Sequence, residues 1–207
     1  MSNLTSKISS KSLKKILALT AIPAALVTSG LIVAQASYSA YSATTVNPTS
    51  NWTSGTVALA DDDANTALFT ASNLKPGATG AQCINVTSTG SLASAVKLYG
   101  TGYATTNDLA SNITLTVQQG TGGSFGNCTN FVASTTNPTL YSGTLAAFGT
   151  GSTAKTNYAT GIGDWAPTGT ASESRTYKIS YTLSSAAPNS SQAGTAALGF
   201  TWEAQNS

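Results

Sequence analysis

The chain has 207 residues, nine of them basic and seven acidic. Only 8% of the residues are charged, where an ordinary globular protein has about 25%. There is no histidine, which excludes a Ser-His-Asp triad, a histidine-ligated zinc site and an imidazole general base. The basic residues beyond position 15 are scattered, which excludes the clustered lysines and arginines of a nucleic-acid binder.

Residues 1–39 have the pattern of a signal peptide. Four lysines precede the apolar stretch 16–34: Lys7, Lys11, Lys14 and Lys15. Proline, threonine, serine and glycine interrupt that stretch, which favours cleavage between residues 36 and 40 by a signal peptidase over retention as a membrane anchor. We therefore predict a secreted or cell-surface protein with no stable membrane span; an uncleaved N-terminal anchor is the alternative. The mature chain then has five basic and seven acidic residues, a net charge of −2.

The mature chain begins with polar, extended elements. Residues 42–54 are rich in threonine, serine, asparagine and proline, which is typical of an extended arm. A short strand is predicted at 56–59, and an acidic turn follows it at 61–63. A second short apolar strand is predicted at 67–70. Pro76-Gly77 is the pair expected at the centre of a type II turn.

The rest of the chain is dominated by alternation of apolar and polar residues with a period of two. The predicted strands of this kind are 83–87, 96–98, 113–117, 177–183 and 198–203. Turn-rich segments separate them, among them a glycine loop at 120–126 and a loop at 161–167, and the one predicted helical turn is 144–148. Half-buried antiparallel strands at short intervals predict an all-β domain, an antiparallel β-sandwich of jelly-roll type spanning 58–207.

The two cysteines, Cys83 and Cys128, are 45 residues apart. An even pair in an exported protein most simply forms a disulfide. By loop entropy alone such a bridge contributes about 4 kcal/mol to stability. Metal binding is the weaker interpretation, because zinc sites use four nitrogen or sulfur ligands.

Few residues are candidates for a site. Asp61, Asp62 and Asp63 form either a solvated turn or part of a calcium site, which takes about six to eight oxygen ligands. Trp165, flanked by Gly163 and Pro167, is expected to pack over an end of the sandwich, with a surface contact to a sugar or a subunit as the alternative, whereas Trp202 continues an inward-facing alternation. Carboxylate pairs for a glycosidase are disfavoured because most acidic residues fall in predicted turns. We expect no catalytic residue, no resident metal and no cofactor, and hence no enzyme.

Four short segments resemble the TasA and camelysin family of exported bacterial proteins. Ser72-Asn73-Leu74-Lys75-Pro76-Gly77 resembles the family's turn, and Thr89-Gly90-Ser91-Leu92-Ala93 resembles the segment that follows it. Phe200-Thr201-Trp202-Glu203-Ala204-Gln205 resembles the closing strand. Residues 37–42 are similar to the junction cleaved by a SipW-type signal peptidase. The order of the segments spans both ends of the mature chain.

The resemblance implies a jelly-roll subunit of the extracellular fibres found in biofilm matrix. It also implies self-association by donor-strand complementation, in which an N-terminal segment fills a strand position in the neighbouring subunit. Here the candidate donor is residues 40–57, an uncharged and threonine-rich arm. Camelysin-type members are classed as metallopeptidases, but a chain without histidine offers no conventional zinc mechanism. A monomeric surface module that binds carbohydrate or protein is the alternative function.

Overall fold

The computed structural model describes residues 53–206. The predicted signal peptide, its cleavage site and residues 40–52 of the predicted arm lie outside the described residues. From Thr53 onward the chain forms one unit with its own core. Within this described part, no helix has the length and apolar character needed to cross a membrane.

The regular elements of the structure are almost all strands. These are β1 (Leu59–Asp61), β2 (Thr79–Ser88), β3 (Ser94–Thr105), β4 (Ile113–Thr121), β5 (Val132–Ala133), β6 (Thr139–Thr144), β7 (Ile162–Trp165), β8 (Glu173–Leu183) and β9 (Ala196–Asn206). One short helix, α1 (Leu145–Gly149), and two single 3-10 turns, Leu109–Asn112 and Asn189–Ser191, complete the elements.

The strands form two sheets in which every pairing is antiparallel. The larger sheet has the order β1-β2-β8-β4, with β5 and β6 both pairing along the outer side of β4. The smaller sheet has the order β7-β3-β9. The chain crosses between the sheets after β2, β3, β6, β7 and β8, a pattern typical of jelly-roll sandwiches. The predicted all-β sandwich is thus confirmed.

Alternation along the long strands places their apolar side chains between the two sheets. On β4, Ile113, Leu115 and Val117 pair with the inward-facing residues of β8. Val96 and Leu98 on β3 face them from the smaller sheet, and both are fully buried. Along most of their length the long strands therefore bury one face, as the period of two predicts.

The predicted helical turn at 144–148 is confirmed, and in the structure the helix begins and ends one residue later, at Leu145 and Gly149. Thr144 is extended, and its hydroxyl accepts a hydrogen bond from the Ala147 N–H at 3.1 Å, which caps α1. Phe148 on this helix is fully buried and stacks edge-on against Tyr141 and Phe200. The helix thus closes one part of the sandwich.

Three local predictions were wrong. Residues 67–70 lie in neither sheet, although Leu68 and Phe69 are half-buried. The loop predicted at 161–167 contains β7, whose four residues pair with β3. The first predicted strand begins only at Leu59, because Thr56 and Ala58 bind the turn at 89–92 through backbone hydrogen bonds. An apolar pattern predicts that side chains are buried, but side chains can be buried without the backbone hydrogen bonds of a sheet.

The predicted disulfide is confirmed. Cys83 on β2 and Cys128 in the loop after β4 are bonded, with Cα atoms 5.1 Å apart. The Gly126 N–H donates to the Cys83 carbonyl at 2.9 Å beside the bridge. The long glycine-rich connection between β4 and β5 is therefore fixed to the larger sheet.

Candidate functional site

The smaller sheet has an open edge along β9. Within residues 53–206, the backbone of β9 bonds only to β3, so one side of this 11-residue strand has no partner. β9 lies near β1, and β7 lies near β6. The free edge of β9 is therefore on the same side of the sandwich as β1 and β2. Six strands on one side face three on the other, and among residues 53–206 no strand lies beside the outer edge of β9.

An apolar cleft of about 860 Å³ opens between the sheets next to that edge. Its walls include Ile113 and Leu115 of β4, Tyr181 and Leu183 of β8, and Leu198 and Phe200 of β9, together with residues of the connection 187–195 between β8 and β9. Residues of the segment 67–76 also line it. Since the side chains from the strands belong to the inner faces of the sheets, the cleft is a part of the sandwich interior that no described strand covers.

The other end of the sandwich interior is closed by polar groups. Gln119 on β4 is 1% exposed, and its amide donates to the Asp164 carboxylate at 2.7 Å and to the Asn137 carbonyl at 3.0 Å. The Asn137 amide donates to the second Asp164 oxygen at 2.8 Å. These hydrogen bonds, together with the nearby Arg175 charge, hold the pKa of Asp164 below its usual value. The interior therefore has hydrogen-bonded polar groups at one end and an open apolar cleft at the other.

Replacing Asp164 with Asn is expected to destabilise the domain by about 1 kcal/mol at pH 6, because the carboxylate accepts two hydrogen bonds at an exposed position. A lowered pKa gives stabilisation that is present above the ordinary value of 3.8 and lost as the pH falls through the folded-state pKa. The difference between wild type and Asp164→Asn should therefore shrink toward pH 2. Urea unfolding at the two pH values measures it, with Asp108→Asn as the control; an equal loss at both would contradict it.

The acidic cluster has a structural contact that the sequence did not reveal. One oxygen of Asp62 accepts the Asn85 N–H of β2 at 2.8 Å, and the other accepts the Phe125 N–H at 2.8 Å. Asp63 bonds locally to the Asn65 N–H at 2.7 Å. Burial, followed by the Asp63 carboxyl, raises the pKa of Asp61. Among residues 53–206, no group of three or more acidic or cysteine side chains converges as a metal site would require.

Replacing Asp62 with Ala is expected to lower the free energy of unfolding by about 1–3 kcal/mol, because two backbone N–H groups lose a charged acceptor. Asp63→Ala, which removes only a local contact, should cost less than half of that. Thermal unfolding with either calcium or a chelator present measures both effects. A midpoint that rises with calcium in wild type but not in Asp62→Ala would contradict the structural assignment.

The two tryptophans of the described part both contribute to the interior. Trp165 on β7 is 3% exposed and belongs to the core, so its ring presents no face to a sugar or a partner. The burial of Trp165 agrees with the predicted packing, and the alternative of a surface contact is wrong. The ring of Trp202 lies 5.2 Å from that of Tyr177, whose pKa is raised by its burial. Neither residue lines the cleft.

The open cleft was missed by sequence reasoning, although its walls were predicted as strand faces. The alternation of Leu198 and Phe200 places them inside, but only the unequal number of strands in the sheets shows that they are left uncovered. Residues 53–206 therefore form an antiparallel β-sandwich in which an apolar cleft lies beside the edge strand β9. A scan against models of known protein families finds no match, and a search of curated proteins finds no similar chain.

Proposed function

We propose that the chain is a secreted structural subunit of an extracellular matrix or pilus-like fibre, assembled by donor-strand exchange. In this proposal, the arm of one subunit pairs with β9 of the next and fills the cleft beside it. The observation that carries the proposal is that a long strand edge, unpaired within residues 53–206, coincides with an apolar cleft. A strand placed there would satisfy the free backbone groups of β9 and cover the exposed interior at the same time.

The direction of the chain favours an arm from a second copy. Thr56 is tied to Ser91 and Leu92, close to Ser94, and Ser94 pairs with the last described residue of β9, Asn206. An arm that turned back along the β9 edge of its own subunit would therefore run parallel to β9. Every pairing in the two sheets is antiparallel, and parallel pairing is slightly less stable per residue. A separate subunit can present its arm in the antiparallel direction.

The composition of the arm suits this role. Residues 40–55 carry no charge, and they include Tyr41, Val46 and Trp52 as apolar groups for the cleft. Pro48 has no N–H, so the arm suits a position where only one of its edges pairs. Because Thr56 is already bonded to the folded domain, the exchangeable part of the predicted donor is 40–55 rather than 40–57.

The disulfide and the surface charge support the extracellular setting of this proposal. A disulfide persists in oxidising compartments, and it is rare in cytosolic proteins. A chain with 8% charged residues has little like-charge repulsion to oppose close packing of copies. Both features fit a subunit that is exported and then packed at high local concentration.

Deleting residues 40–52 from the mature protein is expected to abolish filaments while leaving the domain folded, because the donor is lost and the core is not. Sedimentation and negative-stain microscopy of the purified protein measure assembly, and thermal unfolding measures the fold. Val132→Ser is the matched control, since Val132 is 65% exposed on β5, away from the cleft. This control should assemble as wild type does.

Two results would contradict the proposal. Filaments formed by the deleted protein would show that subunits join without the arm. A wild-type protein that stays monomeric at every concentration would favour the alternative, a monomeric surface module that binds carbohydrate or protein.

A further inference from the structure

One segment that lines the cleft is held in an unusual way. Residues 67–74, which we call the strap, connect β1 to β2. Leu68, Phe69 and Leu74 pack against the core, and the Phe69 ring meets the Tyr181 ring edge-on at 5.4 Å. The strap is thus attached to the sandwich by a few apolar side chains.

The backbone of the strap contributes nothing to this attachment. In the described part of the chain, no N–H or carbonyl of residues 67–74 forms a hydrogen bond with another protein group. The backbone bonds resume on both sides of it, where Thr66 donates to Asp63 and Gly77 donates to Leu183, each at 2.9 Å. Residues 70–73 are exposed. The strap can therefore leave its place without breaking a backbone hydrogen bond to the sheets.

The strap lines the same cleft that the proposed arm would fill. It lines the cleft together with Leu198 and Phe200 of β9, and its Phe69 ring packs on Tyr181 of the larger sheet. A strand paired with β9 would replace the apolar contacts of the strap and add a ladder of hydrogen bonds that the strap does not make. Both cannot occupy the same place, so one must leave when the other binds.

We propose that the strap is an autoinhibitory cover, which shields the cleft in the free subunit and is displaced by the incoming arm. This inference rests on the proposed function, since it names the step that controls donor-strand exchange. The cover protects an apolar surface that would otherwise bind other chains unselectively during export. Opening of the strap then limits the rate at which subunits join.

The kinetics of arm binding test this inference. A labelled peptide of residues 40–55 is added to the protein lacking residues 40–52, whose core and disulfide lie wholly in the described part. If the strap must open first, the observed rate should level off at high peptide concentration. Phe69→Ala should raise that limiting rate about tenfold, the factor that one aromatic pair contributes. Val132→Ala is the control, and its rate should equal that of wild type.

A second variant tests the strap without changing Phe69, in case Phe69→Ala does not fold. A recognition sequence for a specific protease, inserted between Ser72 and Asn73 in the exposed part of the strap, is cut after folding. The cut protein should bind the peptide with a rate that rises linearly with concentration, because the strap no longer closes. The same protein left uncut should show the limiting rate of wild type.

The outcomes separate the two proposals. Peptide binding at the wild-type rate in both Phe69→Ala and the cut protein would overturn the strap as a cover and leave donor-strand exchange standing. No peptide binding by any of these proteins would overturn donor-strand exchange, and the strap proposal with it.

Discussion

Subunits that lack the arm are expected to terminate filaments when they are mixed with intact subunits. Each such subunit offers the open edge of β9 as an acceptor, but it has no donor for the next copy. In a head-to-tail chain, adding about one deleted subunit in ten should reduce the mean length to about ten subunits. Length distributions from negative-stain images, at several mixing ratios, measure the effect.

The inverse dependence of length on the added fraction is specific to a head-to-tail mechanism. A fibre held together by lateral contacts between sandwich faces would incorporate the deleted subunits and keep its length. The control is the isolated Val132→Ser subunit, which retains its arm and should leave the length unchanged at every ratio. Filaments that stay long with an excess of deleted subunits would contradict the arm as the joining element.

Much of the sandwich could be predicted because its long strands are regular. In β4 and β8, apolar residues alternate with threonine, serine and lysine over residues 113–117 and 177–183, and every inward residue of the pattern except the half-buried Tyr181 is buried. Such segments bury one face whatever their neighbours are, so the local pattern determines both the element and its inner face.

The shorter strands were not predictable in the same way. β7 contains Gly163 at φ 114° and has only four residues, so its sequence looks like a turn. It is a strand because β3 offers it partners, a tertiary contact with no local signal. The strap is the opposite case, since residues 67–70 have the apolar content of a strand without a partner. Whether a segment pairs as a strand depends on the neighbouring strand, whereas the burial of its side chains can be predicted from the apolar pattern of its sequence.

The candidate site depends on the same kind of long-range fact. The alternation in β9 shows that Leu198 and Phe200 face inward, but it does not show that no strand lies beyond them. The role of Asp62 likewise depends on the loop at Phe125, 63 residues away. The sequence therefore predicted the strand faces that line the cleft, but only the arrangement of the two sheets revealed that the cleft is open.

The disulfide has a larger expected effect on stability than any other contact considered above. It joins β2 to the loop after β4 across 45 residues, and in the unfolded chain it removes the entropy of that loop. Asp62 binds the N–H of Phe125 in the same loop, so the loop has a second attachment. Removing the bridge should therefore destabilise the domain without releasing the loop from the folded state.

The double variant Cys83→Ser and Cys128→Ser is expected to have a free energy of unfolding about 4 kcal/mol lower than that of wild type. In a domain of this size that loss lowers the thermal midpoint by about 10 °C. Differential scanning calorimetry measures it, and Asp63→Ala serves as a control of similar location with a small expected loss. Combining the double variant with Asp62→Ala should cost more than the sum of the two changes, because the loop then loses both attachments. An unchanged midpoint in the double variant would show that the bridge constrains nothing in the unfolded chain.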